Sequence, residues 1–318
     1  MLHTIRMNYN IKRIILGSIS ILNILSFTYA QDSLDLVSTK GNPDIYGKKF
    51  LHISSLTAGT LLLEAAATLP YINLNGDESV KFHFKNDNSG YLQVDKLIHS
   101  FYSYTTSRIW FNGLTKAGVK RGNTIILSGA IGFLLLTPKE IIDGFSQDGG
   151  FSWGDMAANA AGSALYVGQE LLFKEQLLKY KFSFSRSKYV DLSNGYLGNS
   201  LERVYFRDYN SHTYWISINV NKIIPAKKIP DWISLAAGYS ANGMYGQYEN
   251  KEAYDGVLIP ETPRYRQFLF SLDIDWSKIN VRSKFLRTVF TGLNYIKVPF
   301  PALEINSLGD FKGYWIYF

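Results

Sequence analysis

Gln267-Phe268-Leu269-Phe270-Ser271-Leu272-Asp273-Ile274-Asp275-Trp276 is the stretch on which the fold turns. Phe268, Phe270, Leu272, Ile274 and Trp276 alternate with Gln267, Ser271, Asp273 and Asp275. A period of two is what a strand with two unlike faces writes into a sequence. The same beat runs upstream through Tyr180, Phe182 and Phe184 against Lys181, Ser183 and Ser185. It returns in Tyr214, Ile216, Ile218 and Val220 against Thr213, Ser217, Asn219 and Asn221, and in Ile233, Leu235, Ala237 and Tyr239. The chain closes on Tyr314, Ile316 and Phe318, which share one parity and end on an aromatic, as the last strand of an outer-membrane barrel does. The alternation test gives roughly six to eight strands. A membrane barrel and a soluble antiparallel sheet alternate alike, so a small barrel and an open sheet both fit.

Between 279 and 296 the spacing is helical, with Phe285, Leu286, Val289, Phe290 and Leu293 apolar and Arg282, Lys284 and Arg287 polar. This is an amphipathic helix. Its basic face is expected to be solvated, contact with anionic headgroups being the alternative.

Upstream of Lys179 the chain reads helical. Ile53 to Tyr71 is apolar and crowded with small residues, interrupted only by Glu64, which favours close helix packing. Asn73 to Gly90 is a polar loop with turn chemistry at Asn75-Gly76-Asp77 and Asn86-Asp87-Asn88-Ser89-Gly90. Three further helices are expected: Val94 to about Lys116, Ile125 to about Phe145, and Trp153 to Phe173. Pro138 lacks an N–H and should kink the second of these or start a new helix. Asp95, Lys96, His99, Lys139, Glu140 and Asp143 would each be costly against lipid, which argues against simple spans. The expected class is therefore α+β: an N-terminal, membrane-associated bundle of about four helices, then an antiparallel β-rich domain that could close into a small barrel.

The first thirty residues run from basic Arg6, Lys12 and Arg13, through apolar Ile14 to Phe27, to Thr28-Tyr29-Ala30. That order is a secretory signal peptide, and the apolar run is shorter than the roughly 20 residues a spanning helix needs. The expected division is a signal peptide at 1–30, a helical domain at 31–178 and a β domain at 179–318 carrying the amphipathic helix at about 279–296. Without the leader, 30 Lys and Arg face 26 Asp and Glu, too small an excess to suggest nucleic acid as a partner. The chain has no cysteine. Disulfides, thiolate metal sites, cysteine nucleophiles and lipidation at a signal-peptide cysteine are excluded. The 22 Tyr and 20 Phe suit β-structure or a membrane interface. Location is expected in the envelope, in or on the outer membrane or at the periplasmic membrane surface, with membrane lipid and other outer-membrane proteins as partners.

Three polar motifs stand out: Asp95-Lys96-Leu97-Ile98-His99, Lys139-Glu140-Ile141-Ile142-Asp143-Gly144, and Gly150-Phe151-Ser152-Trp153-Gly154-Asp155 running on to Asn159 and Gly162. Asp95 and His99 are one turn apart on a helix, as are Asp155 and Asn159, and Glu140 and Asp143 are at i and i+3. Faces turned inward would gather Asp95, His99, Glu140, Asp143 and Asp155 into one cluster. Such a cluster could hold a divalent metal, or pair acid with base for hydrolysis. A single histidine is poor for zinc, so a structural network is favoured, with Lys96 or Lys139 neutralising carboxylates and Asn159 and Trp153 as further members. Ser152 is expected to cap the helix beginning near Trp153, with Asp155 at the capping-box position. No nucleophile elbow surrounds Ser152, and Gly149-Gly150 lacks the Lys and Ser or Thr of a phosphate loop. His52, His83 and His212 stand alone and are expected to be packing or surface residues.

In their order and residue types the three motifs resemble the YfiM-like family of periplasmic proteins and lipoproteins of unknown function, and more remotely the VanZ-like family. The resemblance spans roughly Leu92 to Gly168. The second half, with Asp208-Tyr209-Asn210, Thr213-Tyr214-Trp215, Ser271 to Asp275 and Pro301-Ala302-Leu303-Glu304, is similar to the long form of that family found in Bacteroidota. The resemblance implies a periplasmic location and supplies no activity. The absent lipid-attachment cysteine is a departure from it. The functional expectation is a non-enzymatic accessory or scaffold protein associated with the outer membrane. Its alternative is a membrane-proximal hydrolase of lipid, lipopolysaccharide or cell-wall precursor.

Overall fold

The computed structural model describes residues 53–60, 80–224 and 229–318. The expected signal peptide and most of the helix expected from Ile53 to Tyr71 lie outside the described residues; 53–60 are helical. Two compact units result, one taking in residues through Asn86 with Tyr102–Leu171, the other Asp87–Phe101 with Leu172–Phe318.

The first unit is helical. Helix α1 spans Val94–Lys116, α2 Arg121–Leu134, α3 Thr137–Asp143 and α4 Trp153–Leu172. The first eight residues of α1 belong to the other unit. Pro138 stands in the first turn of α3, where a missing N–H costs nothing, so it begins a helix and does not kink one. The apolar core gathers Ile53, Trp110, Leu114, Ala117, Val119, Ile131 and Leu135. Beside it, small residues bring α1, α2 and α4 close. Ser103 Oγ donates to the Asn159 carbonyl at 2.6 Å, Ser163 Oγ donates to the Gly129 carbonyl at 2.5 Å, and Ser107 Oγ lies 3.3 Å from Ser163 Oγ. A Cβ on Gly132 would fall 2.0 Å from Ser107 Oγ and 2.7 Å from the Ser103 carbonyl oxygen. Arg121–Asp143 is long and apolar enough to cross a membrane by length and composition, and 44% of its apolar 18-residue stretch is buried within the protein.

The second unit is built on a six-stranded antiparallel meander: β1 Leu178–Phe184, β2 His212–Asn219, β3 Ile233–Asn242, β4 Tyr265–Ile274, β5 Phe300–Asn306 and β6 Phe311–Tyr317. Each strand pairs with its neighbours in chain order. A short helix, α5 at Leu201–Arg207, lies between β1 and β2, and the amphipathic helix α6 at Lys284–Leu293 lies between β4 and β5. Among the described strands the sheet does not close into a barrel. The other edge of β1 carries one parallel bridge, from Phe182 to Ile296.

Register fixes the two faces. Leu235 lies opposite Leu272, Ala237 opposite Phe270, and Phe270 opposite Leu303. Those residues point outward: Phe268, Phe270, Leu272, Leu303 and Ile305 are exposed, whereas Gln267, Leu269, Ser271, Asp273, Ala302, Glu304 and Asn306 are buried. The polar face is the inner one, reversing the hydrophobic-in pattern of a soluble one-faced sheet. Inside, Trp215, Ala236, Leu269 and Ala302 form a small core against which Tyr317 packs. The Thr213 and Tyr317 hydroxyls lie 3.2 Å apart, although a flat sheet would hold β2 and β6 about 19 Å apart. The sheet is therefore strongly curled around its polar side.

The last strand corrects the parity expected for it. Tyr314 and Tyr317 both turn inward, the first donating to Glu304 at 2.6 Å, while Trp315 is 91% exposed and Ile316 points out as well. The register shift opposite Phe300 and Ala302 admits an extra residue and breaks the period.

Candidate functional site

Asp95 and His99 stand in the first two turns of α1, entered through an unusual turn. Tyr91, Leu92 and Gln93 have φ of 46°, 51° and 68°, three successive left-handed residues. Each costs about 1–2 kcal/mol in a residue with a Cβ. The contacts that offset this come from their own unit: Tyr91 N–H donates to the Gln247 carbonyl at 2.7 Å, and its ring stacks on Tyr209 at 3.9 Å. The Tyr239 hydroxyl donates to the Leu92 carbonyl, and Arg266 donates to Gln93 Oε1 at 2.8 Å. The turn delivers Asp95 to a ring of partners. Lys96 Nζ donates to Asp87 Oδ1 at 2.6 Å and to Asp95 Oδ2 at 3.1 Å, and the Tyr209 hydroxyl donates to Asp95 Oδ1 at 3.4 Å.

His99 on α1 and Asp155 on α4 are both buried. Glu140 and Asp143 stand together on α3. They share a lysine of their own helix, Lys139 Nζ donating to Asp143 Oδ2 at 2.8 Å and to Glu140 Oε1 at 3.3 Å. Ser152 Oγ accepts the Asp155 N–H at 3.0 Å and so caps α4. Asn159 is buried one turn further on, its carbonyl accepting from Ser103. Trp153 belongs to an aromatic group, stacked on Phe84 with centroids 6.1 Å apart and edge-on to Phe151, and it is 67% exposed.

Asp87 and Tyr209 were not singled out from sequence. Asp87 looks like turn chemistry, and Tyr209 is more than a hundred residues away in the chain, although it lies within the Asp208-Tyr209-Asn210 motif. Asp208 there is buried, accepting from Asn210 Nδ2 at 2.7 Å and from Ser211 Oγ. Also missed was the charge inside the curled sheet. Lys181 Nζ lies 2.6 Å from Asp273 Oδ2 with both side chains fully buried. Glu304 accepts from Gln267 and Tyr314 at 2.6 Å and from Asn306 at 2.9 Å.

Of the described lone histidines, His212 is a packing residue and His83 is partly exposed. The buried His212 ring lies 2.9 Å from the Tyr205 carbonyl, and burial pushes its imidazole down to about 4. His83 Nδ1 lies 3.3 Å from the Lys81 carbonyl. His52 is outside the described residues.

The Asp95 and His99 pair of α1 could in chemical terms relay a proton or supply ligands to a divalent cation. Lys96, Asp87 and Tyr209 also make Asp95 part of a connected polar network within its own unit. No curated protein and no solved structure matches the chain. Residues 83–169, which contain all three motifs, match the family described as "Predicted periplasmic lipoprotein (DUF2279)".

Proposed function

We propose that the protein is a non-enzymatic accessory or scaffold protein associated with the outer membrane, in which the His and carboxylate groups of α1, α3 and α4 hold the helices in place. The protein is exported and membrane-associated, as the family match and the apolar length of Arg121–Asp143 support. Its sequence contains no cysteine to carry a lipid, so the family's lipoprotein description does not extend to its anchoring.

The observation that carries the scaffold reading is the pairing of carboxylates with lysines from their own helices: Asp95 with Lys96, and Glu140 and Asp143 with Lys139. A general base or a metal ligand works through an accessible lone pair, and a lysine held on the carboxylate competes for it. A hydrolase is the second reading, favoured by Asp95 and His99 standing one turn apart on α1. Substituting His99→Ala separates them. The scaffold reading expects a fall in melting temperature of several degrees, with function lost only in proportion to folded protein. Loss of function in a His99→Ala protein of unchanged stability, or one equivalent of divalent metal retained by the purified protein and absent from that variant, would establish the enzyme instead.

A further inference from the structure

We propose that the outward face of strands β3 to β6 is a lipid-seated surface: its side chains enter the hydrocarbon edge of a bilayer, while α6 lies along anionic headgroups. Four observations converge on it, all within the sheet unit.

First, the polarity of the sheet is inverted. Lys181, Asp273, Glu304, Gln267 and Asn306 are buried on the inner face, while Leu235, Phe268, Phe270, Leu272, Leu303 and Ile305 are each between 43% and 53% exposed on the outer one. Water outside would favour the opposite arrangement, and patches of this kind on soluble chains mark interaction surfaces. Second, the outer face offers almost nothing a protein partner would need. From Phe268 to Ile274 the outward positions of β4 hold only apolar side chains, as do Leu303 and Ile305 on β5. A protein interface carries a hydrogen bond every 100–200 Å² or so, whereas hydrocarbon requires none. This face also lines an apolar trough of about 810 Å³ that includes Ile218, Leu272, Leu303 and Trp315.

Third, α6 buries none of its ten residues, with Phe285 74%, Leu286 42% and Val289 37% exposed. An apolar stripe left open beside a basic one is the pattern of a helix lying in a headgroup layer. Fourth, the charge is one-signed. From Trp276 to Leu303 there are four exposed Lys and Arg beside the buried Lys297, and no Asp or Glu. Lys278, Arg282, Lys284 and Arg287 therefore complement phosphate-bearing lipid and would repel a basic partner.

The insertion is shallow. The free edge of β6 is unpaired among the described strands, and unpaired backbone groups are not tolerated deep in hydrocarbon. The sheet therefore enters by its side chains and does not span.

The absence of cysteine makes the test direct. Single cysteines at Leu272, Leu303 and Phe285, and at inward-facing Ser240 as control, are spin-labelled in the full chain. Collision with oxygen and with a water-soluble nickel chelate is then compared with and without phosphatidylethanolamine vesicles containing phosphatidylglycerol. The proposal expects the three outward labels to meet the nickel chelate in solution and to exchange it for oxygen when vesicles are added, the Ser240 label changing at neither step. A Leu272→Glu, Leu303→Glu pair, which leaves the inner face untouched, should weaken vesicle binding about tenfold or more. Outward labels that remain open to nickel with vesicles present would overturn the proposal. So would labels shielded from both reagents before vesicles are added, since a second copy or another part of the chain would then cover the face.

Discussion

Lys297 shows how much charge the curled sheet keeps out of water. It is fully buried, with Nζ 5.0 Å from the centre of the Trp215 ring and donating to the Val298 carbonyl at 2.7 Å. Burial pushes its ammonium down to about 8; Asp273 opposes this and Lys181 adds to it. The unfolded chain keeps that proton to about pH 10.4. Between pH 8 and 10 the unfolded state therefore binds more protons than the folded one, and this lysine's contribution to stability rises with pH. Denaturant unfolding of the native chain and of Lys297→Met should differ in slope over that window, the variant lacking the alkaline gain; parallel curves would show the amine to be solvated. Nothing in the sequence near Lys297 marks it as buried. The Asp95 and His99 pair, by contrast, was legible because both residues lie in one helix, where spacing alone puts them on one face. Asp87, which pairs with the neighbouring Lys96, and Tyr209, which donates to Asp95, were not, because a loop and a tertiary contact place them.

Among the elements, the helices were the most readable, since apolar spacing and capping residues are local. Val94–Lys116 and Trp153–Leu172 follow the expected bounds closely, and Ser152 announced its cap. Strand β5 escaped notice because Pro301 sits inside it, and proline in a run argues against a strand. It is tolerated at the irregular pairing opposite β6, where its carbonyl accepts from Ser271. Helix packing makes its own prediction at Gly132. Replacing it by alanine puts a methyl against Ser107 and the α1 backbone, and backbone cannot swing aside. A loss of about 1–3 kcal/mol is expected, read by urea unfolding. Gly122, whose added methyl would meet nothing within 4 Å, serves as the neutral comparison. Equal stability of the two variants would mean that α1 and α2 do not approach so closely.

At the scale of the molecule, alternation revealed a two-faced sheet and could not say which face looks inward. The period is the same for a soluble sheet and a membrane barrel; what differs is where the side chains of Gln267, Ser271 and Asp273 find partners, and that needs the pairing of distant strands. Once Gln267 meets Glu304, and Asp273 meets Lys181, the apolar side has only the outside left. The inverted sheet, the exposed and cationic α6, and the exported family match then agree on a protein that meets a membrane with its β half. The chain supplies reporters on both faces: Trp315, 91% exposed on the outside, and Trp215, fully buried within. The most direct measurement is fluorescence quenching by brominated phospholipid in two variants, each keeping one of these tryptophans and replacing the others by phenylalanine. Blue-shifted, strongly quenched Trp315 emission with unquenched Trp215 is the predicted result; Trp315 emission that stays at a water-like wavelength, indifferent to brominated vesicles, would contradict the account.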